Sequence, residues 1–273
     1  MRLQPLRRAA AVGAVTLVAL GGLAALTATP ALAATSQVSV VHGIPGQNVD
    51  VYVNGEKTLP DFAPGKVAGP LSLAEGSYDI VLTKPGDDIS EPLLKVDDAD
   101  IPGGANISLV AHLSATGEPA LTPFVNDVKK VAAGQARIIV RHTAAAPAVD
   151  VRAGGTPVFE NLTNPNEAKA DLPTGSVEAD VVLAGTDTVA IGPADLDLKE
   201  GTATIAYAVG SAEDKTLGLV TQSITGLHSA PVGVPSGSGG AAGTGLGLPW
   251  YAAAAAGLLM LALGARRLVP GRR

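Results

Sequence analysis

The chain has 273 residues, with 25 acidic and 19 basic side chains, no cysteine, and aromatics held to 3%. Without cysteine there are no disulfides, thiolate metal sites, thiol nucleophiles or haem attachment, so any folded part rests on its hydrophobic core. Seven of the basic residues lie in two apolar ends, which leaves 12 against 25 acidic ones between them; that net charge of −13 (12 − 25) argues against nucleic acid or anionic lipid as partners.

At the start, Arg2, Arg7 and Arg8 precede an apolar run from Ala9 to Leu26 and a small-residue stretch ending Ala31-Leu32-Ala33. This order predicts a secretory signal peptide over residues 1–33, cleaved after Ala33. Strand signals begin at Ser36. Val49, Val51 and Val53 alternate with Asp50, Tyr52 and Asn54, and Asn54-Gly55 is a strong two-residue hairpin signal. Further strands are expected at Leu71–Leu73, Tyr78–Leu82, Leu93–Val96, Asn106–Leu113 and Ala120–Val125, each set off by Gly, Pro or Asp. They predict a first module over 34–127. A short linker, 128–134, follows and limits the angles available to what comes next. A second module over 135–227 repeats the order, with strands at Ala136–Arg141, Ala148–Arg152, Val177–Leu183, Ala203–Val209 and Leu217–Thr221.

Between the apolar ends no stretch has helical periodicity. The fold class predicted is all-β, two tandem antiparallel β-sandwich modules of immunoglobulin or transthyretin type. Residues 228–248 are rich in Gly, Ser and Pro and read as a stalk. Residues 249–265 are uncharged, begin with Trp250 and Tyr251, and precede Arg266 and Arg267. They predict a single membrane-spanning helix with the N-terminal bulk outside and a basic cytoplasmic tail, 266–273. The layout resembles the C-terminal anchors of Gram-positive surface proteins. Leu248-Pro249-Trp250-Tyr251-Ala252 lacks the Thr and Gly of a sortase signal, so a retained helix is expected.

The two modules share a motif at a constant offset of 100: His42 with His142, Val49-Asp50-Val51 with Val149-Asp150-Val151, and Gly55 with Gly155. A fixed spacing across unlike residue types marks tandem copies of one unit. His42, Asp50, Tyr52, His142 and Asp150 are therefore the candidate positions of structural or binding importance. The imidazoles are expected to hydrogen-bond the Pro-containing turns that follow them. The aspartates are expected to face outward or to bond a neighbouring turn. No His pair has metal-ligand spacing. Asp97-Asp98-Ala99-Asp100 and Asp195-Leu196-Asp197 read as acidic turns, without EF-hand spacing. Nucleophile-elbow and phosphate-loop patterns are lacking, so no catalytic residue, metal or cofactor is assigned.

The sequence Val41-His42-Gly43-Ile44-Pro45 followed by Val49-Asp50-Val51-Tyr52-Val53-Asn54-Gly55, with Gly76-Ser77-Tyr78 later, resembles the bacterial family called domain of unknown function 4397. The second copy departs from it, with Arg152 in place of Tyr52 and Val177 in place of Tyr78. The resemblance implies a β-sandwich and an extracytoplasmic life, and no established activity. The expected protein is a non-catalytic, membrane-anchored component of the cell envelope. Its partners are the membrane, through the C-terminal helix, and an envelope glycan or protein. The alternative is a carbohydrate or cell-wall binding module, in which Tyr52 or Tyr207 stacks on a sugar from beside a groove.

Overall fold

Period-two alternation of apolar residues makes a strand that must bury one face, and the described residues hold sixteen strands, most of them of this kind. The computed structural model describes residues 34–229. The expected signal peptide with its cleavage site at Ala33, the stalk beyond Ser229, the spanning helix 249–265 and the basic tail lie outside the described residues. Every regular element among the described residues is a strand, and none is a helix long and apolar enough to cross a membrane.

The first module contains β1 (Thr35–His42), β2 (Val49–Val53), β3 (Glu56–Phe62), β4 (Val67–Ala74), β5 (Gly76–Thr83), β6 (Leu94–Ile101), β7 (Asn106–Leu113) and β8 (Pro119–Val125). The second contains β9 (Gln135–His142), β10 (Val149–Ala153), β11 (Thr156–Leu162), β12 (Glu167–Pro173), β13 (Gly175–Leu183), β14 (Val189–Leu198), β15 (Ala203–Val209) and β16 (Gly218–Ile224). Each module is a pair of four-stranded sheets. The orders are β3-β2-β5-β6 over β4-β1-β7-β8, then β11-β10-β13-β14 over β12-β9-β15-β16. The two-residue turn Asn54-Gly55 has both residues at positive φ (51° and 80°) and joins β2 to β3 as the sequence predicts.

Two expectations need correction. Each module contains one parallel pair, β1 with β7 and β9 with β15, within otherwise antiparallel sheets. β1 leaves its sheet for the facing one at the His42 turn, and β7 returns from β6 through Pro102-Gly103-Gly104. No hairpin joins the pair, so nothing forces the direction to reverse. The aspartate clusters, read as turns, lie inside β6 and β14 instead. There Ala99 and Leu196 point to the core, while Asp97 and Asp98 on β6 and Asp195 and Asp197 on β14 remain exposed.

Three apolar layers follow from this arrangement. Val38, Ile107 and Leu109 meet Val51, Ile80 and Leu82 inside the first module. Ile138, Val140 and Ala206 meet Val151, Val181 and Leu198 inside the second. The third layer lies between the modules, where Val41, Val110 and Phe124 pack on Ile139, Ile205, Tyr207 and Val220. The molecule is therefore four sheets deep. This explains why β7, β9 and β15 are buried almost continuously rather than on alternate residues. The segment joining the modules is packed as well: Val131 is buried and bridges to His228, and Asp127 pairs with Arg137 and Lys169. A fully buried aliphatic side chain is worth roughly 1.5–3 kcal/mol. The junction is thus a core in its own right.

Candidate functional site

The repeated motif sits where each chain segment crosses from one sheet to the other. His42 ends β1, and its Nε2–H donates to Gln47 O across the turn at 3.1 Å. His142 ends β9 and donates likewise to Pro147 O at 2.9 Å. A carbonyl can only accept, so both rings carry their proton on Nε2. Nδ1 of His142 accepts from the Ala144 amide at 3.4 Å, whereas Nδ1 of His42 is buried without a partner. Both rings are buried, and desolvation holds their pKa values below the ordinary histidine value, against the opposing effect of the turn carbonyl. Phe62 packs beside His42 with ring centroids 5.7 Å apart.

Asp50 and Asp150 anchor a different pair of loops. Asp50 accepts from the Asp61 amide at 2.8 Å, from Lys57 Nζ at 2.6 Å and from the Gly86 amide at 3.3 Å. Asp150 accepts from the Asn161 amide at 2.7 Å and the Gly185 amide at 2.8 Å. Asp61 and Asn161 are left-handed, with φ of 49° and 54°, at shifts of the β2–β3 and β10–β11 registers. Asp and Asn tolerate that conformation best among residues with a Cβ. Each carboxylate thus ties the kink of one hairpin to the next turn. The Lys57 ammonium, followed by the Asp61 amide, lowers the Asp50 pKa; the Asn161 and Gly185 amides lower that of Asp150.

Tyr52 lies half-buried, 5.3 Å from the Lys57 ammonium, on the strand face that carries Asp50. Its counterpart, Arg152, is paired with Asp180 at 2.6 Å and Asp187 at 3.0 Å. Tyr207 is fully buried between the modules, which rules it out as an exposed sugar platform. The structure therefore groups His42 and His142 with their own turns and Asp50 and Asp150 with theirs. It does not assemble them into one cluster. Among the described residues no group of three His, Asp or Glu side chains is placed to hold a metal ion.

The most concentrated polar chemistry lies in the intermodule layer, and sequence reasoning missed it. Arg141 is fully buried. Its Nε donates to Glu167 at 2.8 Å, Nη1 to Tyr207 Oη at 2.9 Å and Nη2 to Asn126 Oδ1 at 2.8 Å. The guanidinium lies 4.3 Å from the Phe124 ring centre and 5.4 Å from that of Tyr207. Tyr207 then donates to Gln222 Oε1 at 2.6 Å, and Ser108 of the other module donates to the same oxygen at 2.9 Å. His112 faces this layer too. Its Nδ1–H donates to Leu113 O at 2.8 Å, and Nε2 meets Thr122 Oγ1 at 2.8 Å. The one sequence signal was Arg141 itself, a charge closing the apolar run Ile138-Ile139-Val140 where the first copy has Val41.

The model of the family described as Domain of unknown function (DUF4397) matches residues 36–152. That segment takes in the first module and the second copy of the motif from His142 to Arg152, short of its closing Gly155. The family resemblance of the motif holds over this stretch. The remaining strands of the second module lie beyond the match, and it is their order and register that identify them as a second copy. No curated protein matches the chain.

Proposed function

We propose that this chain, with residues 36–152 placed in that family, is an exported, membrane-anchored surface protein whose two fused sandwich modules form one rigid, non-catalytic unit of the cell envelope. The observation that carries this reading is the use made of the repeated residues. His42, His142, Asp50 and Asp150 hold turns and bulges through backbone groups, and neither imidazole is hydrogen-bonded to a carboxylate that could make it a catalytic base. Three stacked cores give a body suited to displaying surface at a distance from the membrane. The basic N-terminus with its apolar run, the Gly/Ser/Pro-rich stretch and the apolar C-terminal stretch followed by arginines support export and anchoring.

The test is protease treatment of intact cells producing the chain with a C-terminal tag. Loss of residues 34–229 from the outside, with the tag protected and membrane-bound, is the expected result. Recovery of the whole chain from the soluble cytoplasm overturns the reading.

A further inference from the structure

The duplication supplies an internal comparison, because equivalent strands carry different residues at one edge. In the first module β7 and β8 pair Ile107 with Val125 and Leu109 with Pro123. The same register positions in the second module pair Thr204 with Ser223 and Ala206 with Thr221. Register against the neighbouring strand fixes the equivalence: Val38 faces Ile107, and Ile138 faces Thr204. Three apolar residues are thus replaced by three hydroxyls along one edge. The change coincides with a cleft of about 330 Å³ between β14 and the β15–β16 pair. Asp195 and Asp197 line it from β14, with Lys199 just beyond that strand and 3.7 Å from Asp197, Thr204 lines it from β15, and Thr221 and Ser223 line it from β16.

Thr221 and Ser223 face the cleft from one side of β16, and Gln222 between them points to the other side, into the intermodule layer beside Ile205 and Tyr207. Arg141 donates to the Tyr207 oxygen, so the Tyr207 hydroxyl proton goes to Gln222 Oε1, which also receives Ser108. The amide is thereby held in the intermodule layer, where it backs the strand that carries the cleft hydroxyls. Hydroxyls that both donate and accept, a donor ammonium from Lys199 and two acceptor carboxylates are the groups that recognise vicinal hydroxyls. Two carboxylates against the single Lys199 ammonium, within an acidic body, disfavour an anionic ligand.

We propose that this cleft binds a neutral polyhydroxylated ligand, a short segment of an envelope saccharide. The inference rests on the reading of the chain as a displayed, non-catalytic surface protein and assigns that protein a ligand class.

The experiment is amide chemical-shift mapping of the full-length chain in a sugar-free zwitterionic detergent, titrated with maltotriose, mannotriose and chitotriose. At least one sugar should give saturable shifts at the amides of residues 195–199, 202–204 and 221–223. The Thr221→Ala/Ser223→Ala double variant, changed at two exposed hydroxyls, should weaken binding about tenfold, the loss of two hydrogen bonds. Thr204→Ile, which restores the residue type of the first module, should do the same through a separate side chain and leave the melting temperature unchanged or raised. Shifts that fail to saturate with all three sugars, or affinity that survives both variants, overturn the proposal. Saturable shifts elsewhere on the chain overturn it too, yet leave the non-catalytic surface reading intact. The protease result decides that reading independently.

Discussion

Replacing Arg141 by Ala tests whether the two modules form a single cooperative unit. The guanidinium is fully buried, and its partner Glu167 keeps 31% of its side-chain surface exposed. Truncation removes three charge-assisted hydrogen bonds and the stacking on Phe124 and Tyr207. Glu167 can turn to water, but Asn126 and the Tyr207 hydroxyl each lose a donor inside the interface. Breaking a buried pair by removing one partner costs about 3–5 kcal/mol. Because Glu167 is partly solvated, the expected loss lies at the lower end, about 3 kcal/mol. Glu167→Gln should cost about 1 kcal/mol, since it keeps an acceptor and strips only a half-exposed charge. Urea unfolding followed by circular dichroism reads the stability, and calorimetry reads cooperativity. The native chain should unfold in one transition, and Arg141→Ala should move the midpoint down or divide the transition between modules. A loss below about 1 kcal/mol with the transition unchanged would falsify the reasoning, because it would mean that water already reaches the guanidinium and that the layer is not a core.

The buried imidazoles set a pH window. Desolvation holds the pKa values of His42, His112 and His142 below the ordinary value, so below about pH 6.5 the unfolded chain binds protons that the folded chain does not. Their contribution is complete above that pH and is lost as pH falls through the folded values, at no more than about 1.4 kcal/mol per pH unit for each ring. Midpoints in urea that stay level from about pH 7.5 to 5 would contradict the burial of these rings. Asp50→Ala leaves the Asp61 and Gly86 amides without their acceptor, while the exposed Lys57 ammonium turns to water, and should cost about 2 kcal/mol, whereas Tyr52→Phe should stay within about 0.5 kcal/mol; equal effects in thermal unfolding would show that the carboxylate does not tie the two loops. A Cβ at Gly43 would sit 2.8 Å from Val209 Cγ1 and 3.1 Å from Ala111 O. Gly43→Ala should therefore destabilise by about 1–3 kcal/mol, with partial rescue by Val209→Ala, and a neutral Gly43→Ala would place the modules further apart than described.

Composition and pattern were enough to read an all-β chain, most of its strand-forming segments (though not β3, β11, β12 or β14), the Asn54-Gly55 hairpin and the duplication. These depend on local rules: side-chain alternation, turn residues that accept positive φ, and a repeated spacing. The family resemblance rested on the same local sequence, because a contiguous motif needs no knowledge of partners. The hydrogen bonds of His42 and His142 were anticipated because each lies within a few residues of the turn it holds.

What the sequence left open depended on which faces meet. A fully buried strand such as β7 differs from a half-buried one only by what covers its second face, and that cover comes from residues about a hundred positions away. Arg141 looked like a polar residue at a strand end, because its charge becomes a buried one only when Phe124, Tyr207 and Asn126 close over it. Asp97 and Asp195 looked like turn residues, because acidic clusters favour turns until a strand partner claims the backbone. The cleft at β14 and β16 is likewise invisible in order of sequence. Its hydroxyls and carboxylates come from separate strands in different sheets, and only the packing of one sheet on the other sets them around the same space.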